Sequence, residues 1–182
     1  MELQQNVKLS PADFVKAYLP FAKQTEQKTG FSAIAMLAQG ALESGWNKAS
    51  TGWSLFGVKD TDGVNGNEQL QTTVEYSRRA DLKFPVILKI TPVVLNGQKY
   101  FKYLIQDYFR KYNTPEESFT DHANFFLVNK NYIEAVKVKS DAYKFIDAIS
   151  KAGYATDVNY CATLTSIAKS VEKIVNQLNV VT

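Results

Sequence analysis

With 182 residues the chain can bury a sizeable core, as one domain or as one domain with a small lobe. Its hydrophobic and charged fractions, 45% and 21%, exclude a disordered chain. Lys and Arg (21) barely outnumber Asp and Glu (18) and are dispersed, which argues against nucleic acid as the main ligand yet suits an anionic polymer.

Ser10-Pro11-Ala12-Asp13 predicts an N-cap, a first-turn Pro and an acid at N3, opening a helix toward Gly30 that Pro20 should kink or split. Ser32 is placed to cap a second helix. Within it Ile34, Leu37, Ala38, Ala41 and Leu42 have the i, i+3, i+4, i+7, i+8 spacing of a buried stripe. From Gly45 to about Gly66 the glycines and polar residues deny any period and read as loop. Short β-rich runs follow between Gln69 and Phe101. Asn96-Gly97, between Val93-Val94-Leu95 and Gln98 to Phe101, is a type I′ hairpin signal, while Pro85 and Pro92 point to edge strands or irregular connections.

Helices return at the capping box Thr114-Pro115-Glu116-Glu117, running through Phe119, Ala123, Phe126 and Leu127. Another follows Ser140, carries Tyr143, Ile146 and Ile149, and stops near Gly153. The last starts at about Asp157 and carries Tyr160, Leu164, Ile167, Ala168, Val171, Ile174, Val175 and Leu178 at helical spacing. Helices, a strand-rich insert, then helices predict an α+β fold. The expected organisation is one domain over 1–182, with a helical body at 10–45 and 114–178 and a β-rich lobe at about 67–103.

Cys161 is the lone cysteine and His122 the lone imidazole, so a disulfide, a catalytic thiol and a His/Cys zinc site all lack support. No metal or cofactor is expected, and His122 reads as a surface or partly packed residue of its helix. No run is long and apolar enough to span a bilayer. Met1 to Asn6 lack the basic and apolar regions of a signal peptide. The expectation is either export by another route or a leader removed beforehand.

Glu43 sits beside the apolar stripe and just before Gly45, at the seam between core and solvent. A carboxyl partly desolvated there holds its proton more tightly, as a general acid must. The alternative is a solvated last-turn Glu on an ordinary helix. Glu75, in Thr72-Thr73-Val74-Glu75-Tyr76, is the best second acid; its alternative is a solvent-facing strand residue.

An ordered series of motifs bears on that choice. Leu37-Ala38-Gln39-Gly40 runs into Ala41 to Trp46, followed by Leu55-Phe56-Gly57-Val58-Lys59 and Thr72 to Tyr76. Then come Phe109-Arg110-Lys111-Tyr112 leading into Ser118, Asn129-Lys130-Asn131-Tyr132, and Ala152-Gly153-Tyr154-Ala155-Thr156-Asp157. Over roughly Phe14 to Ile174 the chain resembles the glucosaminidase superfamily of peptidoglycan hydrolases, glycoside hydrolase family 73, notably its flagellar rod-associated branch. The resemblance implies a mainly helical lysozyme-like fold with a small β lobe flanking a substrate groove. It also implies cleavage of the β-1,4 bond on the reducing side of N-acetylglucosamine. By the matched positions, Glu43 is the catalytic acid, Glu75 the second acid of the β lobe and Tyr154 the groove tyrosine implicated in catalysis. Tyr132 matches another groove tyrosine, with core packing as its alternative. Trp46 and Phe56 would shape the groove by packing, or contact sugar directly.

Two departures stand out. Ser77 to Pro92 lengthens the connection between the second acid and the hairpin, and Asn129-Lys130-Asn131-Tyr132 lacks the family's stiffening Pro. The implied partner is the peptidoglycan glycan strand, met by a monomer in the periplasm or at the outer wall, with delivery by a secretion or cell-envelope machine or as a phage-type lysin. Two competing readings are a muramidase or lytic transglycosylase on the same polymer, and an inactive wall-binding module.

Overall fold

The computed structural model describes residues 4–61, 65–155 and 157–180. The chain forms two compact units, a helical one from Met1–Gly57 with Tyr112–Thr182, and a β-rich one from Val58–Lys111. This α+β composition agrees with the expected class.

The helical unit opens with α1 (Pro11–Thr29). The Ser10 hydroxyl accepts the Asp13 N–H at 3.1 Å, and Gly30 ends the helix in the left-handed region at φ 76°. Pro20 neither splits nor ends it. Pro20 faces solvent, as does Lys16 one turn earlier, so the carbonyl left without an N–H partner can be hydrated. Helix α2 (Ala33–Glu43) is apolar nearly all round because it is central, packing on α1 and on three later helices. These are α3 (Pro115–Val128), α5 (Ala142–Lys151) and α6 (Tyr160–Val180). Ser32 stands at the N-cap of α2, but its side chain makes no capping bond. Instead Glu26 of α1 reaches over, and its Oε1 accepts the Ala33 N–H at 2.9 Å.

At α3 the capping box forms with a shift. Thr114 Oγ1 accepts from Glu117 N, and Glu117 Oε2 accepts the N–H of Asn113 rather than of the cap itself. Leu127 is exposed, not in the core. The 3₁₀ turns Thr51–Trp53 and Lys130–Tyr132 and the short α4 (Ile133–Lys137) have no counterpart among the predicted elements, since three to five residues are too few to show a period. Asp141 caps α5, accepting from the N–H groups of Tyr143 and Lys144. Before α6, Asp157 closes a turn onto Asn159 and Tyr160, delaying the helix by three residues.

The β-rich unit is a three-stranded antiparallel sheet of β1 (Glu68–Ser77), β2 (Val86–Leu95) and β3 (Gln98–Arg110), in the order β1-β3-β2. Asn96 and Gly97, at φ 50° and 76°, make the hairpin turn, and Pro92 lies on β2 at the sheet edge. β3 runs on to Arg110, past the expected end near 103, because Tyr103, Ile105 and Phe109 continue one buried face. Pairing with β2 starts only at Gln106, and beyond it residues 58–60 bond to β3 through Arg110 N to Val58 O and Asp60 N to Tyr108 O. The lengthened connection is a loop at 78–85 pinned to β3, since Tyr103 Oη donates to Arg79 O at 2.9 Å.

Candidate active site

Glu43 ends α2 at a corner built from three consecutive left-handed residues, Gly45, Trp46 and Asn47, at φ 58°, 60° and 75°. For a bulky Trp this conformation is strained and has to be held in place. The Trp46 N–H donates to Ala41 O, and the Asn47 N–H to Ser44 Oγ, which itself donates to Gly40 O. The buried Asn47 side chain accepts from Tyr18 Oη and donates to Gln4 O and Val7 O. The corner behind Glu43 is thereby fixed by local bonds to Ala41 and Ser44 and by Tyr18, Gln4 and Val7, which no linear motif brings beside it.

Glu43 reaches solvent, yet it lines a cleft of about 300 Å³ with Leu42, Ala155, Asp157, Tyr160 and Thr163. Desolvation there pushes its carboxyl above the ordinary range. Tyr154 follows α5, with its ring centroid 5.5 Å from both Phe126 and Tyr160 and 6.1 Å from Tyr132. Burial, and then the charges of Glu43, Tyr160 and Tyr132, keep its phenol protonated well above the usual range. Glu43, Tyr154 and Tyr132 therefore come together in the helical unit. Thr156 of the same motif lies outside the described residues.

Tyr132 is buried against Phe125 and Phe126, and burial raises its phenol too. Trp46 is half-buried and meets Phe14 edge-on at 5.5 Å. Phe56 is 7% exposed, stacked on His122 at 3.9 Å and edge-on to Phe119, with little ring surface left for a sugar.

His122 corrects the sequence reading. It is 2% exposed and fully packed, not a surface residue. The spacing of Phe119, His122, Ala123 and Phe126 is that of a buried stripe, and this is the signal that could have revealed it. Two further residues absent from the sequence-based candidates border the site, Gln39 and Tyr160. Tyr160 falls on the apolar stripe of α6, and Gln39 stands out in the sequence only as part of the Leu37 to Gly40 motif.

Glu75 belongs to the other unit, on β1. Its Oε1 lies 3.0 Å from Lys59 Nζ, which also meets Asp107 Oδ2 at 2.9 Å. Against desolvation, which acts to lower it, hydrogen bonds from Lys59 to Asp107 and Glu75 raise the ammonium above its ordinary range. Among the described residues no group of three or more His, Cys, Asp or Glu side chains is arranged to hold a metal ion. No helix among them is long and apolar enough to cross a membrane.

Comparison with known proteins adds an independent line. The family model Glucosaminidase, described as mannosyl-glycoprotein endo-beta-N-acetylglucosaminidase, matches residues 19–173. The peptidoglycan hydrolase FlgJ of Pseudomonas aeruginosa is 28% identical over 170 residues, covering 90% of this chain and 37% of that protein. A probable N-acetylmuramidase of Lactococcus lactis is 28% identical over 165 residues, covering 85% and 32%. This chain thus spans about a third of the length of those two relatives. Among solved structures, a C-terminally truncated glycoside hydrolase domain from Salmonella typhimurium FlgJ superposes with a TM-score of 0.66 at 27% identity, covering 90% of this chain and 99% of that one.

Proposed function

This chain belongs to the glucosaminidase family, and from that premise we propose that it is a peptidoglycan hydrolase. In this reading it cleaves the β-1,4 bond between N-acetylglucosamine and N-acetylmuramic acid, as an endo-β-N-acetylglucosaminidase. The observation that carries the reading is Glu43, its carboxyl raised by desolvation, on a braced corner in a cleft that Tyr160 also lines, with Tyr154 near enough to feel its charge.

Glycoside hydrolysis needs a protonated group at the leaving oxygen and a partner on the opposite face of the sugar for the oxocarbenium-like charge. Glu43 does the first. Desolvation raises its carboxyl above the ordinary range, which favours the protonated form a general acid needs. Two routes supply the second. In one, Glu75 activates a water or, if close enough, attacks as a nucleophile, in either case after yielding its ion pair with Lys59. In the other, the substrate's acetamido oxygen attacks, oriented by Tyr154. A phenol held this firmly protonated donates a hydrogen bond but is no base, so Tyr154 positions and stabilises charge.

The N-acetylmuramidase name of the Lactococcus lactis relative, at comparable identity, favours the muramidase as the second reading. Mass spectrometry of digested peptidoglycan separates the two. New N-acetylglucosamine reducing ends support the glucosaminidase, and muramic or anhydromuramic ends the alternative. Absence of any product would leave a wall-binding module. Glu75→Gln should lower turnover by about two orders of magnitude if Glu75 is base or nucleophile. If the acetamido group attacks, the loss is milder and Tyr154→Phe hurts at least as much. The site of action in this reading is the wall, reached by a monomer.

A further inference from the structure

Behind Glu43 runs a line of buried polar groups that proton delivery by Glu43 alone does not explain. Gln39 lies one turn before Glu43 on α2 and is fully buried. Its Nε2 donates to Tyr160 Oη on α6 at 3.4 Å, and its Oε1 faces His122 Nε2 on α3 at 3.3 Å. A buried amide in an apolar helix costs free energy unless both ends are bonded, and here both are. Burial holds the His122 pKa down at about 3, so the ring is neutral at working pH and keeps a single N–H. Because an amide oxygen faces Nε2, that nitrogen carries the proton. The amide NH₂ is then directed at Tyr160.

With one lone pair of Oη taken by this amide, the Tyr160 O–H remains to donate. Tyr160 and Glu43 line the same cleft. We infer that Tyr160 is a positioning residue whose O–H donates to the Glu43 carboxylate as it ionises, and that Gln39 and His122 fix the direction of that bond. The inference rests on Glu43 being the acid. As the proton leaves for the glycosidic oxygen, negative charge develops on Glu43, and a preoriented donor stabilises it without reorganisation. No proton travels along the line; it only sets orientation. The other titratable groups around Glu43 are Asp157 before α6 and Tyr154 after α5, with Tyr132 before α4 facing Tyr154 and Tyr160. From α3 there is the neutral His122, and from α1 Tyr18, whose hydroxyl is held by Asn47.

His122 is the only histidine, so one imidazole signal reports the orientation. The ¹H–¹⁵N correlation of the wild-type protein should show the Nε2–H tautomer. An Nδ1–H tautomer would mean a reversed amide, with the Tyr160 O–H spent on Gln39, and would overturn the inference without any variant. Tyr160→Phe keeps the ring and removes only the hydroxyl. Because Glu43 loses a donor that favours its charged form, the alkaline limb of wall hydrolysis should move up by about one pH unit, with the plateau about tenfold lower. The Glu43 carboxyl, followed by ¹³C NMR without substrate, should titrate higher by a similar amount. A Glu43 titration that stays put or falls overturns the inference. An active Glu43→Gln protein beside the expected titration shift would sink the assignment of the acid and leave the hydrogen bond standing.

Discussion

The carboxyl of Glu43 is raised by burial, so the folded chain resists ionising it. Once pH passes the ordinary Glu range near 4.5, the unfolded chain gives up this proton while the folded chain holds it, and stability falls with rising pH. Glu43→Gln is nearly isosteric and cannot ionise. It should abolish wall lysis, melt with the wild type at pH 4 and melt above it at pH 8. A Gln variant that melts lower at pH 8, or still lyses walls at wild-type rate, contradicts this. His122 has the opposite sign. Its folded pKa, about 3, lies below the ordinary 6.5, so the unfolded chain takes a proton that the folded chain refuses between those values. Stability should therefore fall as pH drops through that window, by about 1.4 kcal/mol per pH unit. Urea titrations at several pH values should show that slope in the wild type and not in His122→Gln. Glu43 could be picked out as a candidate because it follows an apolar stripe and stands just before a glycine. The burial of His122 was not legible, because its helix was read through its aliphatic and aromatic residues alone.

At the scale of elements, legibility tracked how local each signal was. The start and end of α1 were readable because Ser10, Pro11, Asp13 and Gly30 act on backbone within a few residues of themselves. The Asn96-Gly97 turn was readable for the same reason: both residues must take positive φ. At α2 the N-cap position, Ser32, was readable but the capping bond was not, because the acceptor for Ala33 N–H comes from Glu26, across the link from the preceding helix. The full length of β3 was hidden by Asp107, a charge that breaks the apolar alternation until Lys59 pairs with it. The Glu26 bond makes a test at this scale. Glu26→Ala leaves the first turn of α2 without that acceptor and should cost about 1 kcal/mol, as for other helix caps. Glu26→Gln keeps an oxygen and should recover most of the loss. Urea midpoints for the two variants check this, and equal midpoints would return the capping role to Ser32.

For the molecule as a whole, the chain leaves the helical unit at Gly57 and re-enters it at Tyr112. The two ends of that interruption are tied together inside the helical unit itself. The Tyr112 N–H donates to Gly52 O at 2.8 Å, and the Leu55 N–H reaches Ser118 Oγ at 3.3 Å. The helical unit has a buried core of its own, in which Phe14, Leu37, Phe119, Phe126, Phe145 and Leu164, from both flanking segments, are all fully buried. A unit with a core of its own should fold without the insert. Replacing Val58–Lys111 by a short Gly-Ser linker is therefore expected to leave a helical circular dichroism spectrum and a cooperative melt. Wall hydrolysis should be lost, because Glu75 and the rest of the β-rich unit are gone. Failure to melt cooperatively would show that the helical core depends on the insert. A folded excision protein that still releases N-acetylglucosamine ends would assign the second catalytic function to the substrate's own acetamido group and leave Glu43 as the one indispensable acid.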